Sequence, residues 1–278
     1  MSDAEQNLQA ILSSPSYILA ELDTALLARR ELRPVRLQLE LLKPEMAFHE
    51  HNIGSTIVVF GSTRIAERVE LEKRLATDKA ALTASPADAG CARAVAQAER
   101  LLAKAPYYDL ARQFTHLVSS RAQNDGHEYV VVTGGGPGIM EAANRGAFDA
   151  GAKSVGLNIT LGTEQIPNPY ITPDLCFQFH YFALRKLHFL LRAQALVVFP
   201  GGFGTLDELF DALTLRQTRR MQEIPIIMFG RKFWDQVIDF QFLADEGIIT
   251  DADLDLISYA ETPEEAWNTI ASFHRHEP

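Results

Sequence analysis

The sequence predicts an α/β fold, a doubly wound parallel sheet of about six or seven strands with helices on both faces and an N-terminal helical extension. Two observations predict it. Short, continuously apolar runs alternate with helical patterns along most of the chain, which is typical of strands covered by helices on both faces. Glycine-rich turns follow two of these runs and open the next helix, as in a βα unit. A chain of 278 residues is long enough for one such domain with additions.

The additions are predicted to be helical. Residues 1–50 carry apolar side chains at helical spacing, and Pro15, Pro34 and Pro44 divide them into short helices. Residues from about 67 to 104 are rich in Ala, Glu, Lys and Arg and predict one or two surface helices, broken near Ser85 and Pro86. We therefore expect an N-terminal extension over 1–50 and a main domain over 51–278 that contains the insertion at 67–104.

The main domain is predicted to alternate strands and helices. The strands are expected at 56–60, 129–133, 154–159, 196–199 and 224–229, with a weaker one at 255–259 and a further candidate at 175–179. The helices are expected at 107–120, 138–150, 181–193, 205–219, 232–246 and 263–273.

Composition excludes several classes of protein. Lys and Arg number 26 against 36 Asp and Glu, a formal charge of −10, so we expect no nucleic-acid partner, since binding to that backbone needs a basic surface. The two cysteines, Cys91 and Cys176, lie far apart, which argues against a disulfide scaffold or a zinc site. Neither a signal-like start nor an apolar run near the ~18 residues of a membrane span is present. We expect a cytoplasmic protein with no membrane partner.

Two glycine clusters predict a binding site. The first is TGGGPGIM, from Thr133 to Met140, and the second is PGGFGTLDE, from Pro200 to Glu208. Glycine lets the backbone approach a ligand closely, and the free N–H groups of the following helix attract an anion. Either cluster alone is equally consistent with a tight turn. Two clusters at the ends of adjacent strands favour a shared anion site.

The glycine spacing favours a mononucleotide phosphate. No Lys-Ser/Thr pair follows the glycines, as a Walker A motif requires. Counted from Gly134, the sixth position of a dinucleotide motif is Ile139, and the strand around Asn158 ends without the acidic residue that would bind a ribose hydroxyl.

Two further patterns each have two interpretations. Arg185, His188 and Arg192 are spaced to share one helical face, which is typical of a solvated basic surface but also places cations near the strand ends. Thr205 and Glu208 fit a helix capping box. Glu208 fits a catalytic carboxylate equally well.

Three segments together resemble a known family. GGGPGIMEAANRGA, FALRK and PGGFGTLDE resemble the Lonely Guy family, Rossmann-like nucleoside 5′-monophosphate phosphoribohydrolases once mislabelled as lysine decarboxylases. The likeness runs from about Ile57 to Trp267 and includes Gly61. It is strongest to a longer bacterial branch, often described as AMP nucleosidases, which has Glu141 where plant-type enzymes usually have glycine.

The resemblance implies a function and a set of site residues. The expected substrate partner is a small nucleoside monophosphate, AMP or a cytokinin riboside monophosphate, which water cleaves to the free base and ribose 5-phosphate. The family implies no cofactor, no metal and a homo-oligomer, a dimer or larger. Arg185 and Glu208 match its catalytic pair, since a carboxylate stabilises a ribosyl cation and an arginine holds the substrate. The implied substrate-binding residues are Gly135, Gly136, Gly138, Lys186, Gly201, Gly202, Gly204 and Thr205.

Two other functions are alternatives to this one. A non-catalytic nucleotide-binding or sensing protein would use the same pocket, and release of free adenine from AMP would separate it from the enzyme. A pyridoxal phosphate decarboxylase needs a Schiff-base lysine. Lys186 is the only lysine within these motifs, and no partner for the pyridine nitrogen is evident, so this function is disfavoured.

Overall fold

A computed structural model describes residues 2–122, 128–160 and 166–275 of the chain. The strands it contains there are β1 (Thr56–Phe60), β2 (Val130–Thr133), β3 (Ser154–Ile159), β4 (Cys176–Phe179), β5 (Ala193–Val198), β6 (Ile226–Phe229) and β7 (Ile257–Ala260). These seven form one sheet in the order β4-β3-β2-β1-β5-β6-β7, and every neighbouring pair is parallel. The predicted fold class is confirmed.

The helices within the described ranges follow the predicted pattern. They are α1 (Asp3–Leu12), α2 (Thr24–Ala28), α3 (Arg33–Glu50), α4 (Arg68–Ala84), α5 (Ala89–Leu102), α6 (Pro106–Ala122), α7 (Ile139–Asp149), α8 (Phe182–Leu190), α9 (Phe203–Gln217), α10 (Arg231–Trp234), α11 (Phe240–Asp245) and α12 (Pro263–Arg275). Of the described helices, none is long and apolar enough to cross a membrane.

The sheet is covered on both faces. Every residue of β1, β2, β3 and β6 is buried, which explains why these strands read as continuous apolar runs. On one face, α3, α8 and α9 contribute Phe48, Phe189 and Leu209 to the core. On the other face, α6 and α12 contribute Phe114 and Ile270.

The order of the strands creates a crevice. From central β1 the chain builds outward through β2, β3 and β4, and then returns to place β5 on the other side of β1. Ligands of doubly wound sheets bind where the strand order reverses, beyond the carboxyl ends of the strands. That position here lies beyond β1 and β5.

Helix α3 differs from the prediction. It begins at Arg33 and runs unbroken through Pro44, so the prediction that prolines divide short helices is confirmed at Pro34 and is wrong at Pro44. Pro34 lies in the first turn, where a missing N–H costs nothing. Pro44 is inside the helix, but it is buried, and Phe48 of the same helix packs in the core against Phe177 of β4. This packing outweighs the local cost of the proline.

The predicted helix at 232–246 is also wrong, because it is divided into α10 and α11. Trp234 is buried, and its indole Nε1–H donates to the carbonyl oxygen of Phe229 (3.0 Å). Asp239 then caps α11 by accepting from the N–H of Phe242 (2.9 Å). A side-chain cap of this kind begins a new helix.

The inserted helices α4 and α5 lie at the surface. The predicted break near Ser85 and Pro86 is confirmed, since α4 ends at Ala84 and Asp88 caps α5. Leu71 is the buried residue recorded for α4, and Ala98 is the one recorded for α5. Helices α1 and α2 have no buried residue in the part of the chain described. The division of the chain at residue 50 stays a prediction.

Gly138 provides a test of how closely the loops pack. Its φ is +73°, and a Cβ there would overlap the carbonyl oxygen of Ser62 and the backbone of Thr63. We expect Gly138→Ala to lower the free energy of unfolding by about 3 kcal/mol, the sum of backbone strain and the clash. Urea denaturation would measure it.

Gly151 is the matched control. Its φ is +68°, but a Cβ there has nothing within 4 Å. Gly151→Ala should therefore cost about 1 kcal/mol, from backbone strain alone. Equal losses for the two variants would show that the approach of the Gly138 loop to Ser62 is not a constraint.

Candidate active site

Three loops meet at the carboxyl edge of the sheet. Residues 61–64, which follow β1, lie between the two glycine clusters. The N–H of Ser62 donates to the carbonyl oxygen of Pro200 (3.0 Å), and the carbonyl oxygen of Ser62 accepts from the N–H of Ile139 (3.0 Å). The prediction that both glycine loops share one edge of the sheet is confirmed.

A cleft of about 580 Å³ opens at this edge. Residues 60–64, residues 202–205 and Asp207 and Glu208 of α9 line it, together with Phe182 and Arg185 of α8 and the side chains of Met140 and Ile159. This volume is typical of a small-molecule site. The cleft lies at the reversal of the strand order, where a ligand of such a sheet is expected.

The start of α9 forms one wall of the cleft. The helix begins at Phe203, with Gly202 as its N-cap and no side-chain cap. Its first N–H groups therefore have no side-chain acceptor, and such groups bind anions. Because α9 begins earlier than predicted, Thr205 lies within its first turn and does not cap it. The capping-box interpretation of Thr205 and Glu208 is wrong.

Glu208 is a buried carboxyl group at this wall. It is 8% exposed, and within the described residues it makes no hydrogen bond and no ion pair. Burial raises the pKa of Glu208 to about 7, against the lowering effect of the positive charges on Arg185 and Lys186. A carboxyl group that titrates near neutral pH is suited to proton transfer and is typical of functional sites.

Arg185 reaches the same cleft from α8. Its Nε–H donates to the carbonyl oxygen of Leu157 at 2.7 Å, and its guanidinium lies 5.1 Å from the centre of the Phe189 ring. The guanidinium also lies against the backbone of Gly134. Burial lowers the pKa of Arg185, while the charges of Glu208 and Asp207 raise it. An arginine keeps its charge at neutral pH despite such a shift.

The predicted binding residues do not all line the cleft. Gly202, Gly204 and Thr205 do, and Gly201 lies directly beneath the Thr205 side chain. Lys186 is absent from the lining described and instead forms an ion pair with Asp207 at 2.8 Å.

The glycines of the first loop lie behind the cleft, also outside its described lining. Gly135 accepts from the N–H of Asn168 (2.9 Å), and Gly136 accepts from its side-chain Nδ2–H (3.1 Å). Gly138 packs on Ser62. The substrate-binding roles of Gly135, Gly136, Gly138 and Lys186 stay predictions.

A buried polar network fixes that first loop. The Oδ1 of Asn144 accepts from the hydroxyl of Thr133 (2.7 Å) and from Nδ2 of Asn168 (2.9 Å). Asn144 and Asn168 are both buried, and buried amides that are fully paired rigidify their surroundings. Sequence reasoning missed both residues.

Arg64 is a lining residue that sequence reasoning also missed. It follows β1, is exposed, and lines the cleft. Its side chain has no hydrogen bond or ion pair with any residue that the structure describes. The sequence could have indicated Arg64 by its position just beyond the carboxyl end of a central strand, since ligand contacts of this fold cluster there.

The Arg185, His188, Arg192 series does not form a basic surface. His188 is buried, and Arg192 lies beyond the end of α8 and forms an ion pair with Glu45. Only Arg185 of the three lines the cleft.

A second cleft, of about 640 Å³, lies between α6 and α12. It includes neither glycine loop and neither Arg185 nor Glu208, so its size does not make it the better candidate. Among the described residues, no group of three or more His, Cys, Asp or Glu side chains is arranged to hold a metal ion.

Comparison with protein families decides the relationship. Residues 140–270 match the family described as "Possible lysine decarboxylase", a stretch that contains both FALRK and PGGFGTLDE. The resemblance of the motifs to the Lonely Guy family is confirmed over these residues. A search among curated proteins finds no match for the chain.

Several solved structures resemble this chain. One is the molybdenum cofactor binding protein of the phototrophic bacterium Rippkaea orientalis, at 22% identity and a TM-score of 0.43, covering 60% of this chain and 87% of that one. Another is the Moco carrier protein of Chlamydomonas reinhardtii, at 18% identity and a TM-score of 0.44, covering 62% and 90%. A third is a structural genomics target, TM1055, at 18% identity and a TM-score of 0.45, covering 78% and 99%. Similarity at this level says nothing about ligand or activity.

The raised pKa of Glu208 gives a stability test. Between the ordinary carboxyl pKa of 4.5 and about 7, the folded protein binds more protons at Glu208 than the unfolded chain, so this carboxyl group lowers stability as pH rises through that window. Glu208→Gln removes the effect. We expect the variant to gain up to about 3 kcal/mol over the wild type by pH 8, and little at pH 4.

Urea unfolding of both proteins from pH 4 to 8.5 would measure this difference. Glu50→Gln, at an exposed carboxyl group, is the control for the exchange of a carboxyl group for an amide and should change stability by less than about 0.5 kcal/mol. A pH-independent difference for Glu208→Gln would mean that Glu208 titrates as an ordinary carboxyl group.

Proposed function

We propose that the cleft binds a nucleoside 5′-monophosphate, AMP or an N6-modified relative, and that the protein hydrolyses its N-glycosidic bond. The products are the free base and ribose 5-phosphate. The observation that carries this proposal is Glu208, a buried carboxyl group with no hydrogen bond or ion pair to the residues described, which shares the cleft with Arg185 and the open start of α9. The similarity of residues 140–270 to the Lonely Guy family supports activity of the phosphoribohydrolase type.

The 5′-phosphate is proposed to bind at the start of α9. The N–H groups beyond Gly202 have no side-chain acceptor, and a helix N-terminus favours an anion through both hydrogen bonds and the helix dipole. Thr205 supplies a hydroxyl group at the same wall, and exposed Arg64 supplies a positive charge across the cleft. A phosphate at this wall places the ribose beside Glu208, in the second turn of α9.

Glu208 is proposed to act on the ribose and on the attacking water. As the bond between C1′ and the base nitrogen breaks, its electron pair leaves with the base and positive charge develops on the ribose. A carboxylate stabilises this charge and accepts a proton from the water whose oxygen bonds to C1′. The departing base nitrogen takes up a proton from solvent. Glu208 must be ionised for this role.

Arg185 is proposed to hold the substrate in register. Its Nε–H is already bonded to Leu157, so its remaining N–H groups are available to the ligand. A guanidinium held on one side by a backbone carbonyl has a fixed orientation, which favours a single binding geometry.

Pyridoxal phosphate chemistry, which the printed family description suggests, does not fit these residues. That cofactor is bound through a lysine as a Schiff base. Among the described residues that line the cleft there is no lysine, and nearby Lys186 is paired with Asp207. We derive no step through this cofactor.

The first test compares AMP with adenosine. If the start of α9 binds the 5′-phosphate, AMP is hydrolysed and adenosine is poor or inert, because the phosphate supplies the binding energy that orients the ribose. Free base and ribose 5-phosphate would be quantified across a panel of nucleoside monophosphates, with each nucleoside as its own control. Equal turnover of AMP and adenosine would contradict phosphate recognition by this loop.

The second test removes the charge of Glu208. Glu208→Gln keeps the size of the side chain but cannot stabilise a ribosyl cation, so adenine release from AMP should fall by roughly two orders of magnitude or more. AMP binding should survive. Arg185→Ala should lose activity to a similar extent, and Arg185→Lys should keep part of it if charge matters more than the planar group.

The control for these variants is Glu264→Gln, at an exposed position on α12, which should keep full activity. In the wild type, kcat should rise with pH to a plateau above about 7, as Glu208 ionises. If Glu208→Gln releases adenine like the wild type, Glu208 is not catalytic. If the wild type binds AMP and releases no adenine, the chain is a nucleotide-binding protein with this pocket.

A further inference from the structure

Helix α3, in the N-terminal extension, supplies the cap for helix α8. The N–H of His180 donates to Oε1 of Glu40 (2.9 Å), and the N–H of Tyr181 donates to Oε2 (3.1 Å). Helix α8 has no side-chain cap of its own. The first N–H groups of a helix need acceptors, and a negative charge there also interacts favourably with the helix dipole. Arg36 adds a hydrogen bond to the hydroxyl of Tyr181 (3.3 Å).

The same helix holds the other end of α8. Arg192, just beyond α8, donates from both terminal nitrogens to the two carboxylate oxygens of Glu45 (2.6 and 2.8 Å). Its guanidinium lies 5.3 Å from the centre of the Phe48 ring. These hydrogen bonds lower the pKa of Glu45, so the pair is charged at neutral pH. Bidentate pairs of this kind fix orientation as well as distance.

Arg185 lies between these two attachments. It follows the capped end of α8 by about one turn, and its recorded side-chain hydrogen bond is the one from Nε to Leu157. Where its guanidinium lies in the cleft therefore depends on where α8 lies. Displacements of about 1 Å at a reacting group cost roughly 100-fold in rate.

We propose that α3 positions α8 through Glu40 and Glu45, and so holds Arg185 in the cleft. Glu40 and Glu45 are then positioning residues, and helix α3 (residues 33–50) determines where one wall of the cleft lies. The consequence for catalysis rests on the proposed function. The consequence for the placement of α8 does not.

The apolar face of α3 makes the proposal testable without unfolding the protein. Pro44 and Phe48 are buried, and Phe48 packs against Phe177 of β4, so we expect α3 to stay docked when a charge at Glu40 or Glu45 is neutralised. Glu40→Gln and Glu45→Gln keep the side-chain length. Each replaces one of two accepting oxygens by an NH₂ group, which cannot accept from Tyr181 or Arg192.

Hydrogen exchange of the unliganded protein tests the placement of α8. In Glu40→Gln and Glu45→Gln, amides of residues 180–192 should exchange about tenfold faster or more, while those of β1 and β5 stay protected. Glu50→Gln, an exposed position on the same helix with no recorded partner, should exchange like the wild type. Unchanged protection of 180–192 in both variants would overturn the proposal, whether or not AMP is a substrate.

Kinetics on AMP tests the link to Arg185. Both variants should lower kcat by about tenfold with KM changed less than about twofold. The reason is that α8 stays folded while the guanidinium of Arg185 is displaced from its position in the cleft. Arg192→Lys keeps the charge facing Glu45 but not the planar pair of donors, so it should recover only part of what Arg192→Gln loses. Faster exchange with unchanged kcat would show that Arg185 does not depend on α3. If the wild type releases no adenine, the proposed function fails, and AMP affinity of the same variants replaces kcat as the measurement.

Discussion

The main chain of Ser62 holds the site together. Its N–H and its carbonyl oxygen bond to the loops that follow β5 and β2, so the central strand connects both of its neighbours at the edge where a ligand would bind. The close approach of Gly138 to the same residue excludes any side chain at that point. Because these contacts involve backbone atoms, they depend on strand order and on glycine rather than on particular side chains. The position of the cleft is therefore a consequence of the fold.

Burial changes the protonation of the carboxyl group in the cleft. Glu208 has no partner among the described residues, and it retains a proton at pH values where an exposed carboxyl group is ionised. Arg185 and Arg64 bring positive charge to a protein of net charge −10. Two arginines at one cleft of an acidic protein favour a small anion over an extended polyanion, because a polyanion also meets the surrounding negative charge.

The buried strands and the two glycine loops could be predicted from short stretches of sequence. The buried strands were predicted because an all-apolar run has few alternatives when glycine follows it, and the two glycine loops located the edge of the sheet. Prediction failed where distant packing outweighs local preference, as at Pro44 and at Trp234.

The start of α9 was misplaced because Thr205 and Glu208 form a capping pattern, whereas the glycines allow the helix to begin earlier. The contact of Glu40 with His180 spans 140 positions, and no pattern within one segment reveals such a pair.

The separation of β1 and β5 along the chain determines when a working pocket first exists during synthesis. Thr56 pairs with Ala193, so the central strand β1 gains its second neighbour only after the ribosome has made residue 193. A nascent chain that ends before α9 has one glycine loop, no Glu208 and half of a crevice. Closing such distant segments is entropically costly and slow. A ligand of this cleft therefore has no complete site during most of translation, and any stabilisation by that ligand begins only after the ribosome has made both halves of the sheet.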